Sequence, residues 1–366
     1  MRIFMAGAGY SHWGNFHPAD LTKEDGVQVG GGETAMIKMA EGLAARDHEV
    51  FVFANVQPCH WNGVDYLPVQ MWVAMGCTMQ HHVAVSWDLP EMLRFNLACR
   101  AKVVAYQLNH AYVGVLDHVI DRYFCPSEWH ARRYQTEVTP EATAAKFRPR
   151  MTNAVDVKRY RVAPPGIKRN PWGVVWSSSP DRGLHHLLNA WSLVKQKQPK
   201  ARLDVFYEMQ KWFDIIDGAK KGGRTLVTTE RADQVREGLK ACEGLDVTVH
   251  GGVSQTTLAK AQLAASVGVA SLDVVAPTEG FGMTMLEYLA AGLSPIAGAI
   301  DAFPELWASC ATLLEPPQEP EVLVAAVLAA FADAPRARQE GPKLAKRFGW
   351  DILAKHWERE FEGVIG

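Results

Sequence analysis

The feature that most limits this chain is the alternation of two hydrophobic periods along almost its whole length. "RIFMAG" is an unbroken apolar run closed by glycine; "ETAMIKMAEGLAARDH" then places Ala35, Met36, Met39, Ala40 and Leu43 at helical spacing. "EVFVFAN" reads as strand, "LPEMLRFNLACR" as helix, "KVVAYQL" and "YFCPS" as strands and "EWHARRYQ" as helix. Strands and helices in this order bury their apolar faces together as a parallel sheet with helices on both sides. The pattern breaks over 137–171, rich in Pro, Thr and Ala and containing "APPG". It restarts with "GVVWSSS", "GLHHLLNAWSLVKQ", "RLDVFYEM", "DVTVHGG", "QTTLAKAQLAA", "VGVASL", "SPIAG" and "ATLLEP". The expectation is an α/β chain of two doubly wound sheets with a Pro-rich joint between them. Open parallel sheets bind ligands beyond the carboxyl ends of their strands, so a site is expected in the cleft that the two sheets face.

The bulk numbers agree with two cores. At 366 residues the chain is too long for one ordinary domain, and 48% hydrophobic residues suffice to fill two. With 38 basic and 40 acidic residues the formal charge is −2, which gives no electrostatic case for nucleic-acid binding. The cysteines, Cys59, Cys77, Cys99, Cys125, Cys242 and Cys310, are far apart and form no CxxC pair, so free thiols in a reducing compartment are expected. "MRIFMAGAGY" is one strand, too short for a signal segment, and no run of 18 apolar residues exists. A soluble, cytoplasmic protein is the expectation.

Three glycine clusters bear on phosphate chemistry. "AGAGYSH" starts a GxGxxG pattern at Gly7 and Gly9 but has His12 at its third position, so the nicotinamide fingerprint fails; no G-x-x-x-x-G-K-[ST] exists either. Gly30, Gly31 and Gly32 lead straight into a helix, where bare backbone N–H groups suit an anion. In "PTEGFGMTMLEYLAAG", Gly280 and Gly282 open a second such turn between Glu279 and Glu287. Glu287 lies five residues past Gly282, roughly 7.5 Å along a helix axis. It stands among Met283, Leu286, Leu289 and Ala290, and a carboxylate on an apolar helix wants donors such as the hydroxyls of a sugar or ribose. The motif therefore spans a sugar nucleotide, with one carboxylate at each end and the phosphates on the turn.

These stretches resemble the GT-B-fold retaining glycosyltransferases of family 4, the glycosyl transferases group 1, over nearly the whole chain. "GGGETAMIKMAEGLAARDHEVFVF" is similar to that family's glycine loop and first helix, "FCPSEWHARRY" to its strand–Ser–helix segment and "NAVDVKRY" to its Asn-Gly-Val-Asp turn. "PTEGFGMTMLEYLAAGLSPIAG" resembles its E-x7-E signature, and "GWDILAKHWEREF" the C-terminal helix that crosses back to the N-terminal domain. The resemblance implies an N-terminal Rossmann-like acceptor-side domain over 1–165, completed by 350–366, and a nucleotide-sugar domain over 170–345. It implies that Glu279 meets donor sugar hydroxyls and Glu287 the ribose. The backbone of Phe281, Gly282 and Met283 would approach sugar and phosphates, and Gly31 and Gly32 would lie near the phosphates and acceptor. Gly251 and Val253 in "HGGVSQ" would border the base.

Two departures matter. Where the family often carries Arg and Lys five residues apart, "WSSSPDRGL" has Ser177 and Arg182, leaving Arg182 as the main cation for the diphosphate. The family's His after its "KVV" strand has a counterpart in His110, off register by a residue or two, beside Gln107 and Asn109. His81-His82 and His185-His186 are expected to be structural, one of the second pair packed and the other solvated. His12, Trp13 and His17 precede the triple glycine in a loop that serves as acceptor contact or structural lid. Lys220, Lys221 and Arg224 suit a solvated loop tip.

The resulting expectation is a retaining, metal-independent glycosyltransferase with no permanently bound cofactor. The donor is a nucleoside-diphosphate sugar, UDP or GDP ahead of ADP, and the acceptor is a hydroxyl on a glycan, lipid-linked sugar, small molecule, protein or modified nucleic-acid base. A GT-B epimerase and a non-catalytic sugar-nucleotide-binding protein are the alternatives; a phosphorylase would need a pyridoxal lysine, for which no signature is present.

Overall fold

The apolar runs form parallel strands, and the periodic runs form the helices that cover them. The computed structural model describes residues 1–366 except 8–15, 25, 27–28, 88–92, 94–100, 108–117, 136–140, 162–166, 224–227 and 277–278. The helix expected in "LPEMLRFNLACR" falls almost wholly outside the described residues, as do Gly9, His12, Trp13, Asn109, His110 and Arg224. The chain divides into two units, Met1–Ala154 with Phe348–Gly366, and Val155–Arg347.

The first unit contains β1 (Arg2–Gly7), α1 (Gly31–Ala44), β2 (Glu49–Ala54), β3 (Cys59–Trp61), β4 (Val64–Pro68), α2 (Met71–Thr78), β5 (Val83–Trp87), β6 (Val103–Gln107), β7 (Arg122–Phe124), α3 (Glu128–Gln135), α4 (Glu141–Ala144) and β8 (Phe147–Arg148). Its strands lie in the order β3-β4-β2-β1-β5-β6-β7-β8, parallel except for the β3–β4 hairpin. Strands β1, β2 and β5 are buried on both faces, which explains why they read as continuous apolar runs.

The second unit contains α5 (Val157–Arg161), β9 (Gly173–Trp176), a 3-10 turn (Pro180–Arg182), α6 (Leu184–Lys197), β10 (Arg202–Val205), α7 (Met209–Lys221), α8 (Thr229–Ala241), β11 (Val247–Val249), α9 (Gln255–Ala264), β12 (Val267–Ala270), α10 (Met283–Ala291), β13 (Ser294–Gly298), α11 (Phe303–Trp307), β14 (Thr312–Leu314) and α12 (Pro320–Ala345). The strands run parallel in the order β11-β10-β9-β12-β13-β14. Chain order thus runs outward one way from β9 and the other way from β12. The pair β9/β12 is the point where a doubly wound sheet opens a crevice at its carboxyl edge.

The last helix, α13 (Trp350–Ile365), belongs to the first unit. It buries Leu353, Ala354, Trp357 and Phe361, a single face at helical spacing. The Trp357 ring lies 5.6 Å from Trp87 and 4.6 Å from Phe124, joining α13 to the ends of β5 and β7. Its polar flank is tied as well. Arg46 pairs with Glu358, and the Nε atoms of Arg122 and Arg148 both reach Glu360 Oε2, at 3.1 and 2.8 Å. Among the described residues no helix is long and apolar enough to cross a membrane.

Because Trp357 is 1% exposed and wedged between aromatic rings, Trp357→Ala should destabilise the first unit by about 3–5 kcal/mol. Urea unfolding checks this through a lowered midpoint; a midpoint within experimental error of wild type would mean that α13 is not part of that core.

Candidate functional site

The register Val267↔Val174 through Val269↔Trp176 sets the carboxyl ends of β9 and β12 side by side. From β9 the chain leaves through Ser177, Ser178 and Ser179 into the turn Pro180–Arg182, then through Gly183 into α6. From β12 it leaves through Ser271, Leu272 and Asp273, and later reaches Glu279 and the start of α10. The two exits are bonded to each other: Leu272 N–H donates to the Arg182 carbonyl at 2.8 Å.

Across this junction the Arg182 guanidinium pairs directly with the Glu279 carboxylate. The pair is largely withdrawn from water, with side-chain exposures of 21% and 9%. Burial works against the charge of Arg182, but Glu279, Asp181 and Tyr207 together outweigh it and hold the guanidinium above its ordinary pKa. Glu279 is fixed from other directions too. Ser271 Oγ donates to its Oε1 at 2.6 Å, Ser178 Oγ lies 3.1 Å from Ser271 Oγ, and the Glu279 N–H donates to Asp301 Oδ2 at 2.9 Å. The structure therefore brings together two residues that stand 97 positions apart.

The turn after Glu279 depends on glycine. Gly282 has φ 82°, and a Cβ there would stand 2.6 Å from the Phe303 ring. Phe281 points inward: it is 3% exposed, its ring meets Trp307 edge-on at 5.3 Å, and its carbonyl accepts from Trp307 Nε1 at 2.8 Å. The helix that follows has no side-chain cap; the Met285 N–H donates to the Gly282 carbonyl at 3.0 Å, and the positive end of the helix dipole lies at this turn.

Glu287 sits on the buried face of α10, 8% exposed. Burial raises its carboxyl pKa, against the pull of the Arg159 charge and a hydrogen bond from Gln262. Gln262 Nε2 stands 3.5 Å from Glu287 Oε2 and 3.3 Å from Ser177 Oγ, and the Tyr160 hydroxyl donates to Gln262 Oε1 at 2.8 Å. The N–H of Ser177 donates to the Tyr288 hydroxyl at 3.1 Å. The Tyr288 ring lies over Gly268, where a Cβ would come within 2.3 Å of it; only glycine leaves room in β12. Ser177 and Ser178, neighbours in sequence, thus belong to two polar groups, one around Glu287 and one around Glu279.

The remaining candidates occupy other places. Gly251, with φ 74°, and Val253 form a half-buried turn after β11; it follows His250, whose ring stacks on Phe206 at 4.4 Å, and Ser254 caps α9. In the first unit, Gly31 and Gly32 open α1 with exposed backbone, and a Cβ at either would meet nothing within 4 Å. His110 lies outside the described residues.

One cluster departs from what the sequence leads one to expect. His185 is packed as expected, but His186 is not solvated: its Nε2 is 2.9 Å from Asp273 Oδ2. Arg231 also pairs with Asp273 Oδ2, at 2.7 Å, and reaches the His185 ring. Burial, His186 and Arg231 push His185 down to about 4. The ligand atoms of His185, His186 and Asp273 lie within 4.8 Å of one another, yet the Arg231 guanidinium already supplies the positive charge that such a set would attract. The sequence signal, a His pair opening a helix after the turn that carries Arg182, is present; its partners come from distant parts of the chain.

Residues 173–347 match the family described as glycosyl transferases group 1. No curated protein sequence matches the chain. Among solved structures, Anabaena HepE in complex with UDP and glucose is similar with a TM-score of 0.69 and 16% identity, over 99% of this chain and 100% of that one. Sucrose-phosphate synthase from Thermosynechococcus elongatus is similar with a TM-score of 0.68 and 17% identity, over 100% of this chain and 99% of that one. A glycosyltransferase from Rickettsia africae reaches 0.65 at 11% identity, over 100% and 98%. Residues 173–347 thus match the glycosyl transferases group 1 family, and the chain has the two-sheet α/β fold of the GT-B glycosyltransferases.

Proposed function

We propose that this chain is a glycosyltransferase that moves a sugar from a nucleoside-diphosphate sugar to a hydroxyl acceptor, with retention at the anomeric carbon and without a metal ion. The observation that carries the reading is the Arg182–Glu279 pair at the crevice between β9 and β12, beside the uncapped N-terminus of α10. A diphosphate entering there competes with Glu279 for the guanidinium. Once displaced, Glu279 offers its oxygens to the sugar hydroxyls, while Arg182 and the first N–H groups of α10 face the phosphates. As the bond from the anomeric carbon to the phosphate oxygen breaks, charge grows on the diphosphate, and fixed donors stabilise it without reorganising. The acceptor oxygen forms its bond to the same face of that carbon, and its proton passes to the departing phosphate oxygen. Glu287 takes the ribose at the other end of the donor. HepE is described with UDP bound, which supports a uridine nucleotide as the first donor to test.

Arg182→Ala should lower turnover of a UDP-sugar by roughly a hundredfold or more, corresponding to about 2.7–4 kcal/mol of lost stabilisation, and Arg182→Lys should recover part of it. Turnover near wild type in a folded Arg182→Ala protein would remove Arg182 from the site. A chelator should leave wild-type activity unchanged; silencing that manganese restores would replace this mechanism with a metal-held diphosphate.

The two glutamates should separate in calorimetric titrations with free UDP. Glu287→Ala should weaken UDP binding, whereas Glu279→Ala should largely keep it and lose sugar-dependent turnover. Equal loss of UDP binding in both would overturn the assignment of ends.

A further inference from the structure

The hydrogen bonds that end at Glu287 have a direction, and the direction is fixed at their Tyr288 end. The carbonyls of Val269 and Val175, 3.1 and 3.2 Å from the Tyr288 hydroxyl, can only accept, so Tyr288 donates to them. Its oxygen therefore accepts from Ser177, whose Oγ lies 3.2 Å away as well as its N–H. With its proton spent on Tyr288, Ser177 Oγ offers a lone pair to Gln262, which must present Nε2 there. At the other extreme the Tyr160 hydroxyl, 2.8 Å from Gln262 Oε1, donates to that oxygen. The Ser177 end chooses the orientation of the Gln262 amide, the Tyr160 hydroxyl meets that orientation as a donor, and it aims Nε2 at Glu287 Oε2. Turned over, the amide would set its oxygen against the carboxylate.

The geometry points to Gln262, oriented by Tyr160 and Ser177, as a positioning residue that keeps Glu287 an acceptor carboxylate for a vicinal diol such as a ribose. Gln262 is fully buried and Tyr160 is 7% exposed, so neither is placed to exchange these bonds for water. A hydrogen bond given to a carboxylate favours its charged form, and here it opposes burial. Among the described residues the titratable and charged groups that face Glu287 are few. From α5 come Arg159, also bonded to Gln255 at 3.2 Å, and Tyr160, which itself feels the charge of Asp156; Tyr288 lies on α10 itself. Arg159 acts on Glu287 through its charge, whereas Gln262 is the group that donates to it. The diol part rests on the nucleotide-end reading of Glu287; the orientation of the amide does not.

The test has a ligand-free arm and a binding arm, with Gln262→Met, which keeps the volume, and Tyr160→Phe, which removes one hydroxyl. Glutamate carboxyls labelled with carbon-13 are titrated by NMR in the ligand-free chain, the Glu287 signal being the one lost in Glu287→Gln. The Glu287 midpoint should rise by about one pH unit in Gln262→Met and by less in Tyr160→Phe, since a hydrogen bond to a charged group is worth about that much. An unmoved midpoint in both variants overturns the proposal. In the binding arm UDP is titrated against wild type and Gln262→Met at matched pH, so that the ligand's own ionisation cancels. The variant should bind about tenfold more weakly below the Glu287 midpoint and converge with wild type above it. A deficit equal at every pH would mean that Gln262 is only packing and would overturn the positioning role. Raised midpoints together with unchanged UDP binding in Glu287→Gln would uphold the amide's control of Glu287 while removing the nucleotide from it.

Discussion

A guanidinium and a carboxylate, both mostly withdrawn from water, meet where the chain leaves two adjacent parallel strands. Burying two charges is costly unless each finds its opposite and the remaining lone pairs are filled, and breaking such a pair commonly costs about 3–5 kcal/mol. Much of the local structure meets that demand. The Leu272 N–H pins the carbonyl of Arg182, Ser271 and Ser178 supply hydroxyls, and Asp301 takes the Glu279 N–H. The Asp273 cluster anchors the same corner from outside, drawing His186 and Arg231 onto the residue that follows Leu272. An ion pair this well held needs no ligand to keep it in place, and on the proposed reading a ligand that presents both an anion and hydroxyls draws its partners apart.

The other end of the site has a different character. Around Glu287 the contacts are neutral: an amide, two phenols and a serine, with the charge of Arg159 acting from α5. Ser177, at the position where the resembled family carries a cation, belongs to this neutral group and not to the ionic one. On the proposed reading, one end suits a group whose charge changes during reaction, and the other a group that is only held. The divide falls between two consecutive serines at the end of one strand.

Periodicity made the strands and most of the helices legible, because parallel strands buried on both faces leave an apolar run that little else produces. The E-x7-E stretch was legible because a carboxylate inside an apolar helix, just past a glycine turn, is costly unless a donor meets it. The β3–β4 hairpin was readable in principle: Asn62 and Gly63 have φ 48° and 80°, the Asn-Gly turn that joins short antiparallel strands, yet three-residue β3 gives too little alternation to flag. Gln262 and Asp273 were not legible. A glutamine in an alanine-rich helix and an aspartate after a strand look like surface residues until tertiary contacts bring Tyr160, Ser177, Arg231 and His186 to them.

That α13 belongs to the first unit has a consequence for how the molecule comes into being. In chain terms the second unit is an insert, Val155–Arg347, within the first. Its parallel sheet is complete once the ribosome has passed α12, since every strand partner of β9 through β14 lies between them. The first unit has all of its strands much earlier but lacks Trp357, Phe361 and the acceptor of Arg122 and Arg148 until the final turns of α13 emerge. Throughout the synthesis of the whole insert the ends of β5 and β7 therefore stand without the aromatic layer that later covers them, and such exposed apolar surface is what chaperones and aggregation compete for. The unit made first is finished last.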